Sequence, residues 1–258
     1  MKKVEPSRRS SLRLMIDRLL LLAVVLAIWE AIALWAVDPF WVGQPSQIAG
    51  RLWQIAISGE LWRHAWTTLL EAGLGLFMAF AIGVPLGILM ARFKYGSVVA
   101  EPYVMALYSM PRVALGPLFI MWFGIDLFSK VMMVFSIVVF IFILNIHEGL
   151  KTVDKDIVDL FRTMRAPSSY VTRTVLIPWI EPWILASMRL AIGAALIGAI
   201  VGELVGASQG LGWYIEQSAG RLDTTGVFAG LVALVVIAAL ANSLVGWVER
   251  RRLAWRQA

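Results

Sequence analysis

Residues 151–182 have the sequence KTVDKDIVDLFRTMRAPSSYVTRTVLIPWIEP, and they are the only long polar interruption in an otherwise apolar chain. Four apolar residues in this segment follow the spacing that places side chains on one face of a helix: Ile157, Leu160, Phe161 and Met164. Thr152 or Asp154 can cap the start of this helix, and Pro167 pushes Ala166 out of the helical conformation. A second short helix is expected from near Ser168. The pattern predicts an amphipathic surface that needs a partner.

Composition places the rest of the chain in a membrane. The 258 residues are 60% hydrophobic and 16% charged, whereas an average soluble domain is about 45–50% apolar and about 25% charged. The absence of cysteine excludes a disulfide framework and a thiolate metal site, and His64 and His147 are too few for a metal cluster. The net charge of +6 comes from residues between apolar segments, so it indicates membrane topology rather than a nucleic-acid partner.

Six apolar segments are long enough to cross a bilayer, which predicts an all-α integral membrane protein with six transmembrane helices. They cover residues 19–37, 66–91, 98–123, 130–149, 183–205 and 227–248. The first could instead be a cleaved signal peptide, but it exceeds a typical signal segment in length. Residues 38–65 are expected to form a periplasmic segment with a surface helix over 46–58. Glycines 73, 75, 83 and 87 in the second span predict close helix packing.

The third span is broken by SMPRVALGP, residues 109–117. Its prolines free backbone carbonyls, which membrane proteins tolerate only against protein or a water-filled cavity. We therefore expect Ser109, Pro111 and Arg112 to line a translocation pathway. Burying an ionisable residue in a span costs at least about 2.5–3.5 kcal/mol, so Arg112 is either a functional residue or a structural one that binds the freed carbonyls.

Other polar residues near the ends of spans have two interpretations each. Glu203, near the outer end of the fifth span, could face the pathway or reach the interface. His147 and Glu148 are expected to be polar groups at a helix end, because a proton relay would need more ionisable residues along its path.

The distribution of basic residues predicts that both termini are cytoplasmic, with residues 1–18 and 249–258 as basic ends. The predicted inside holds the N-terminal basic residues, Arg92, Lys94, Lys151, Lys155, Arg162, Arg165, Arg173, Arg250, Arg251, Arg252 and Arg256. The predicted outside keeps Arg51, Arg63, Lys130 and Arg221. The polar segment then faces the cytosol, where it offers a docking surface to a soluble subunit.

Residues 43–245 resemble the permease subunits of bacterial binding-protein-dependent ABC importers, in their nitrate, sulfonate and taurine branch. The resemblance is carried by PSQIAGRLWQIAISGELWRHAWTTL, AIGVPLGILMA, LGPLFIMWFGIDLFSKV and MRLAIGAALIGAIVGELVGASQGLGWYI, which begin at residues 45, 81, 115 and 188. It implies a type I importer permease fold with a permease core over residues 66–248. It also implies a homodimer in the bacterial inner membrane, two cytoplasmic ATPase subunits and a periplasmic binding protein.

Within the family, residues 151–178 correspond to the cytoplasmic coupling loop, whose signature is E-A-A, three residues, then G. Asp159 matches the acidic position, while Arg165 stands at the glycine. The resemblance implies ATPase contacts from Asp159, Leu160, Phe161, Arg162, Met164, Arg165, Ala166 and Tyr170. Because a left-handed conformation costs a non-glycine residue about 1–2 kcal/mol, we expect the helix to continue through Arg165 and to turn at Ala166 and Pro167. Arg165 then pairs with an acidic ATPase residue or is solvated.

The chain has no Gly-Lys dipeptide and therefore no P-loop, so ATP and Mg²⁺ are expected on the partner ATPase and no cofactor on this chain. No catalytic or metal-binding residues are predicted. Arg112 favours an anionic solute, such as a sulfonate, taurine, nitrate or an aromatic carboxylate, although the family also includes carriers of pyrimidine-type substrates. Two other classes are an ion-coupled secondary transporter and a membrane-embedded enzyme, and the expected signatures of both are missing.

Overall fold

The computed structural model describes residues 8–252, without the side chains of residues 8–12, 94, 155, 158, 162, 168 and 169. All regular structure in this range is helical. The helices are α1 (Arg8–Trp35), α2 (Pro39–Val42), α3 (Pro45–Ile57), α4 (Glu60–Arg92), α5 (Lys94–Ser109), a 3-10 turn (Arg112–Leu115), α6 (Gly116–Phe123), α7 (Leu127–Lys151), α8 (Lys155–Thr163), α9 (Ser168–Val171), a π-helical turn (Thr172–Leu176), α10 (Ile177–Val205), α11 (Leu211–Gly220) and α12 (Thr224–Arg252). The predictions for residues 1–7 and 253–258 lie outside the described residues.

Five helical stretches are long and apolar enough to cross a membrane: Arg13–Trp35, Glu60–Arg92, Leu127–Lys151, Thr172–Val205 and Thr224–Arg252. The remaining predicted span corresponds to α5 and α6, which are bent by 76° at the break. The bend lies where the SMPRVALGP sequence predicts it. The helices are longer than the predicted spans, because the polar residues that flank the apolar segments are also helical.

The packing of α4 on α7 indicates that the bent pair crosses the membrane. Gly75 of α4 lies against Val134 of α7, and Gly87 of α4 lies against Ile146. Residue numbers rise together along the contact, so the two helices are parallel. Because two membrane-spanning helices run in the same direction, the chain between them must cross back once. With the five long helical stretches, the described residues then make six crossings.

The described chain forms two compact units, one from residues up to Leu61 with Ile215–Val232, and one from Trp62–Tyr214 with residues from Ala233 onward. In the first unit, the carboxylate of Glu30 accepts hydrogen bonds from Gln44 Nε2 at 2.5 Å and from the Ser46 amide at 3.0 Å. This carboxylate therefore gives a hydrogen-bond partner to a backbone amide in the first turn of α3, which explains why the apolar α1 contains an acidic residue. Arg51 forms a 2.9 Å ion pair with Asp223, whose other oxygen caps α12.

The second unit has its core where α7 packs on α4 and α10. The central side chains belong to α7, and Val134, Val138, Phe142 and Ile146 are fully buried. A Cβ atom at Gly83 would lie 2.7 Å from the Val139 carbonyl oxygen, and one at Gly87 would lie 2.8 Å from that of Ile143. The predicted packing role is confirmed for Gly75, Gly83 and Gly87. It is wrong for Gly73, because a Cβ atom there would have no atom of the described residues within 4 Å.

The predicted second short helix does not end before the fifth span. It is α9, and it continues through the π-helical turn into α10 without a break. Pro178 lies in the first turn of α10, and its ring would crowd the carbonyl of residue 174 in a regular α-helix. The amide of Ile177 instead bonds the Thr172 carbonyl, five residues back, which widens the turn enough for the proline to be accommodated.

Candidate functional site

Residues 151–178, the predicted coupling loop, expose an apolar helix face. Asp154 caps α8, because its side chain accepts a 2.9 Å hydrogen bond from the Asp156 amide. Leu160 and Met164 are 59% and 69% exposed. Two large apolar side chains this exposed on a nine-residue helix form a contact surface that the described chain leaves open.

Phe161 connects the two short helices of the loop. Its ring centre lies 6.0 Å from that of Tyr170, with the ring planes tilted by 53°. The contact fixes α8 against α9 and leaves Tyr170 half exposed. Asp159 is also exposed, and the side chain of Arg162 lies outside the described part of the chain.

The expectation that the α8 helix continues through Arg165 is wrong. The helix ends at Thr163, and Arg165 adopts a left-handed conformation with φ of 53°. The Ala166 amide then bonds the Phe161 carbonyl at 3.0 Å, five residues back, in the arrangement that usually has glycine at the left-handed position. Arg165 therefore keeps the backbone geometry of a glycine despite its side chain.

The break between α5 and α6 brings together the residues predicted to line a pathway. Ser109 ends α5, and its hydroxyl donates a 2.9 Å hydrogen bond to the Met105 carbonyl. Pro111 caps the 3-10 turn, where its carbonyl accepts a 3.0 Å bond from the Ala114 amide. These local bonds satisfy part of the backbone that the break frees.

Arg112 lies between two aromatic rings at this break. Its guanidinium carbon is 5.4 Å from the centre of the Tyr108 ring and 4.6 Å from that of Phe140. Nη2 donates a 2.7 Å hydrogen bond to the Leu107 carbonyl. Arg112 therefore binds a backbone carbonyl near the break, as the structural interpretation expects. This bond uses one of the five N–H donors of the guanidinium. The side chain remains partly exposed.

The Tyr108 ring that Arg112 contacts also lines an open cavity of about 440 Å³, whose other lining residues are Ile141, Leu144, Asn145, Glu148 and Leu190. Glu148 is paired with Lys151 at 2.8 Å, which offsets its charge. His147 lies near the end of α7, as expected, and its side chain is buried in protein, 2% exposed and 3.1 Å from the Ser97 hydroxyl. The cavity wall is thus aromatic and aliphatic with a few polar groups, as in small-molecule sites.

Glu203 lies inside the second unit, where it is 0% exposed. Its carboxylate accepts hydrogen bonds from the Thr68 hydroxyl at 2.6 Å and from the Gly212 amide at 2.5 Å. Its side chain is therefore enclosed by the described chain itself. Its assignment to the translocation pathway stays a prediction.

Residues 83–253 match the family described as "Binding-protein-dependent transport system inner membrane component". The chain belongs to this family. It is therefore a multi-pass membrane translocation subunit of an ABC importer and not an enzyme, and a separate ATPase subunit hydrolyses ATP. As for the other family members, the partners of this permease are an ATPase and a binding protein.

Two curated relatives align along most of the permease. It is 32% identical over 239 residues to the putative aliphatic sulfonates transport permease protein SsuC of Bacillus subtilis, covering 92% of this chain and 87% of the relative. It is 27% identical to the taurine transport system permease protein TauC of Escherichia coli, covering 91% and 87% of the two chains. An inward-facing structure of the MetNI methionine ABC transporter matches with a TM-score of 0.67 at 20% identity, covering 76% of this permease and 98% of that chain. The structural match confirms the type I importer permease fold.

Sequence reasoning missed the polar residues around Glu203. His64, Thr68 and Glu71 are almost fully buried on α4, and Lys130 is buried on α7. The i, i+4, i+7 spacing of the three α4 residues, on one face at the start of a span, was the available signal. Lys130 gave no signal, because a lysine at the end of an apolar segment usually reaches the interface.

Proposed function

We propose that this permease forms the translocation pathway of an ATP-driven importer for a small anionic solute of the sulfonate, taurine, nitrate or aromatic carboxylate type. The solute would be delivered by a periplasmic binding protein, and the permease would act as a homodimer in the bacterial inner membrane. Two ATPase subunits would bind ATP and Mg²⁺. Membership of the importer family supports the assembly, and Arg112, in contact with the Tyr108 ring that lines the open cavity, supports the charge of the solute.

The docking of the ATPase is assigned to the coupling loop. The observation that carries this assignment is the exposed apolar face of α8, with Leu160 and Met164 uncovered and Phe161 fixed by Tyr170. A short amphipathic helix that lays such a face into a groove is a common recognition mode between proteins. Asp159, Arg162, Arg165 and Ala166 complete the proposed contact surface.

The pathway is assigned to the break between α5 and α6. Ser109 and Pro111 set the bend, and Arg112 provides a positive charge that none of its described contacts neutralises, since Leu107 contributes only a carbonyl dipole. Glu203 belongs to the proposed pathway only if the end of α10 opens in another conformation. If residues 151–178 face the cytosol as predicted, the break would lie between them and the periplasmic opening of the pathway.

Docking is tested by co-purification of the tagged permease with its co-expressed ATPase and binding protein. Leu160→Glu and Met164→Glu should each reduce ATPase recovery at least about tenfold, because they place a charge in an apolar contact. Thr163→Glu is the control, since it adds the same charge to the same helix away from the apolar face. Equal losses in all three variants would contradict docking through this face.

Transport is tested in proteoliposomes that contain the complete complex and the binding protein on the outer side. Uptake of labelled taurine, an alkanesulfonate, nitrate or benzoate is measured with ATP and with a non-hydrolysable analogue. Uptake of one of these solutes only with hydrolysable ATP supports the proposal. Uptake that instead follows an imposed ion gradient without ATP would favour a secondary transporter.

A further inference from the structure

Three consecutive backbone amides point into the buried cluster around Glu203. The Gly210 amide bonds His64 Nδ1 at 3.1 Å, the Leu211 amide bonds Thr68 Oγ1 at 2.9 Å, and the Gly212 amide bonds Glu203 Oε2 at 2.5 Å. Residues 206–212, which join α10 to α11, are thereby attached to α4 and to the end of α10. We call them the 206–212 segment.

The hydrogen bonds around Glu203 match an ionised carboxylate. Oε2 accepts from the Gly212 amide, which can only donate. Thr68 Oγ1 accepts from the Leu211 amide, and its single proton has two acceptors in reach, the His64 carbonyl at 3.2 Å and Glu203 Oε1 at 2.6 Å. The shorter bond, to Glu203, is the one we assign to this proton. Both oxygens of Glu203 therefore act as acceptors. An ionised carboxylate fits this pattern, because it is an acceptor only.

Glu71 lies against this carboxylate and is 3% exposed. The two carboxyl groups are in hydrogen-bonding contact. Among the described residues, no donor reaches Glu71 Oε2, although that atom is buried. Two ionised carboxylates are acceptors only and cannot bond each other, so their contact requires a proton. Since Glu203 already has a donor at each oxygen, we assign this proton to Glu71.

The surrounding charges agree with one bound proton. Lys130 of α7 is 2% exposed, and its ammonium group donates to the carbonyls of Ile125 and Asp126. His64 accepts at Nδ1 and so is neutral when its other nitrogen carries the proton. The Asp126 side chain is exposed. The cationic Lys130 then balances the anionic Glu203, whereas a second ionised carboxylate would leave a buried excess charge.

We infer that Glu71 and Glu203 form a binding site for one proton, carried on Glu71, and that this proton allows the 206–212 segment to attach to α4 and α10. The inference rests on the contacts inside the second unit and not on the solute or the ATPase. A failure of the proposed function would therefore leave it unchanged.

A first test uses two conservative variants with opposite expectations. Glu71→Gln replaces the protonated acid by an amide that keeps a donor towards Glu203, so the segment should stay attached. Glu203→Gln replaces one of two acceptor oxygens by an NH₂ group that faces a donor from Thr68 or Gly212. The amides of residues 210–212 should then exchange hydrogen at least about tenfold faster, because buried donors lose their acceptor. Exchange is measured on the full chain in lipid nanodiscs.

A second measurement does not depend on either variant being well folded. The infrared spectrum of the wild-type chain should contain the carbonyl stretching band of a protonated carboxylic acid that shifts in D₂O at neutral pH. That band should disappear in Glu71→Gln. Absence of any such band in the wild type would overturn the inference.

The two measurements also overturn the inference in other ways. Loss of the infrared band in Glu203→Gln but not in Glu71→Gln would place the proton on the other carboxyl group. Equal acceleration of amide exchange in both variants would show that the cluster needs both side chains only for packing. Faster exchange in Glu71→Gln alone would exclude a donor role for Glu71.

Discussion

The amide of Ala166 donates a 3.0 Å hydrogen bond to the carbonyl of Phe161, across an arginine in the left-handed conformation. This bond closes α8 and directs the chain into Pro167, so that α9 returns and places Tyr170 beside Phe161. The shape of the predicted coupling loop thus depends on a backbone conformation that the side chain of Arg165 disfavours.

Arg165→Gly should make the coupling loop more rigid. Removing the Cβ atom relieves about 1 kcal/mol of left-handed strain, so amides 160–166 should exchange hydrogen about fivefold more slowly. The matched control is Arg173→Gly, which removes an arginine from a helical position and should destabilise its turn by about 1 kcal/mol. Faster exchange in Arg165→Gly would show that the arginine side chain itself holds the turn.

Gly83→Ala should weaken the packing of α4 on α7. The added Cβ would lie 2.7 Å from the Val139 carbonyl oxygen and 2.8 Å from Phe142 Cβ, and overpacking of this kind costs about 1–3 kcal/mol. Gly73→Ala is the control on the same helix, because no atom lies within 4 Å of its Cβ. Thermal unfolding of the purified chain in detergent should show a lower midpoint for Gly83→Ala only.

Gly210→Ala should detach the 206–212 segment. At φ of 120° a Cβ would be strained and would overlap the Glu203 carboxylate. Gly59→Ala separates the two effects, since its φ is 82° but its Cβ would meet no atom within 4 Å. We expect a loss of about 1 kcal/mol from strain at Gly59, and a larger loss at Gly210. Equal losses in thermal unfolding would mean that the overlap with Glu203 is relieved without cost.

Substitutions of Arg112 separate its two roles. If its charge attracts the solute, Arg112→Lys should retain more transport than Arg112→Gln, which should reduce uptake at least about tenfold. ATPase recovery should be unchanged in both, because the residue is not in the coupling loop. If Lys and Gln reduce uptake equally, Arg112 acts through the Leu107 carbonyl and the Tyr108 and Phe140 rings.

The spans and the break were predictable because each depends on a local property of the chain, namely a long apolar run or a pair of prolines. The turn at Arg165 was not, since its local cost of about 1–2 kcal/mol is offset by contacts that form only once the segment has folded back on itself. The Phe161–Tyr170 contact and the bond to the Phe161 carbonyl are two of them.

The acidic cluster was missed for a different reason. Glu71 and Glu203 are 132 residues apart, and each occurs singly in an apolar helix. Only the packing of α4, α7 and α10 shows that they meet. From the sequence each glutamate is a separate buried acid with its own desolvation cost, whereas the structure places both in one group with Lys130.

The stripe of Gly75, Gly83 and Gly87 also limits how this permease can move. Each glycine is a notch that fits one bulky residue of α7. A piston-like slide of α4 by a single residue, about 1.5 Å, would bring a side chain over a notch and block further travel. Exposure of the cavity to alternate sides would therefore require α4 and α7 to move together as one rigid body. The bending would take place in the chain beyond their ends.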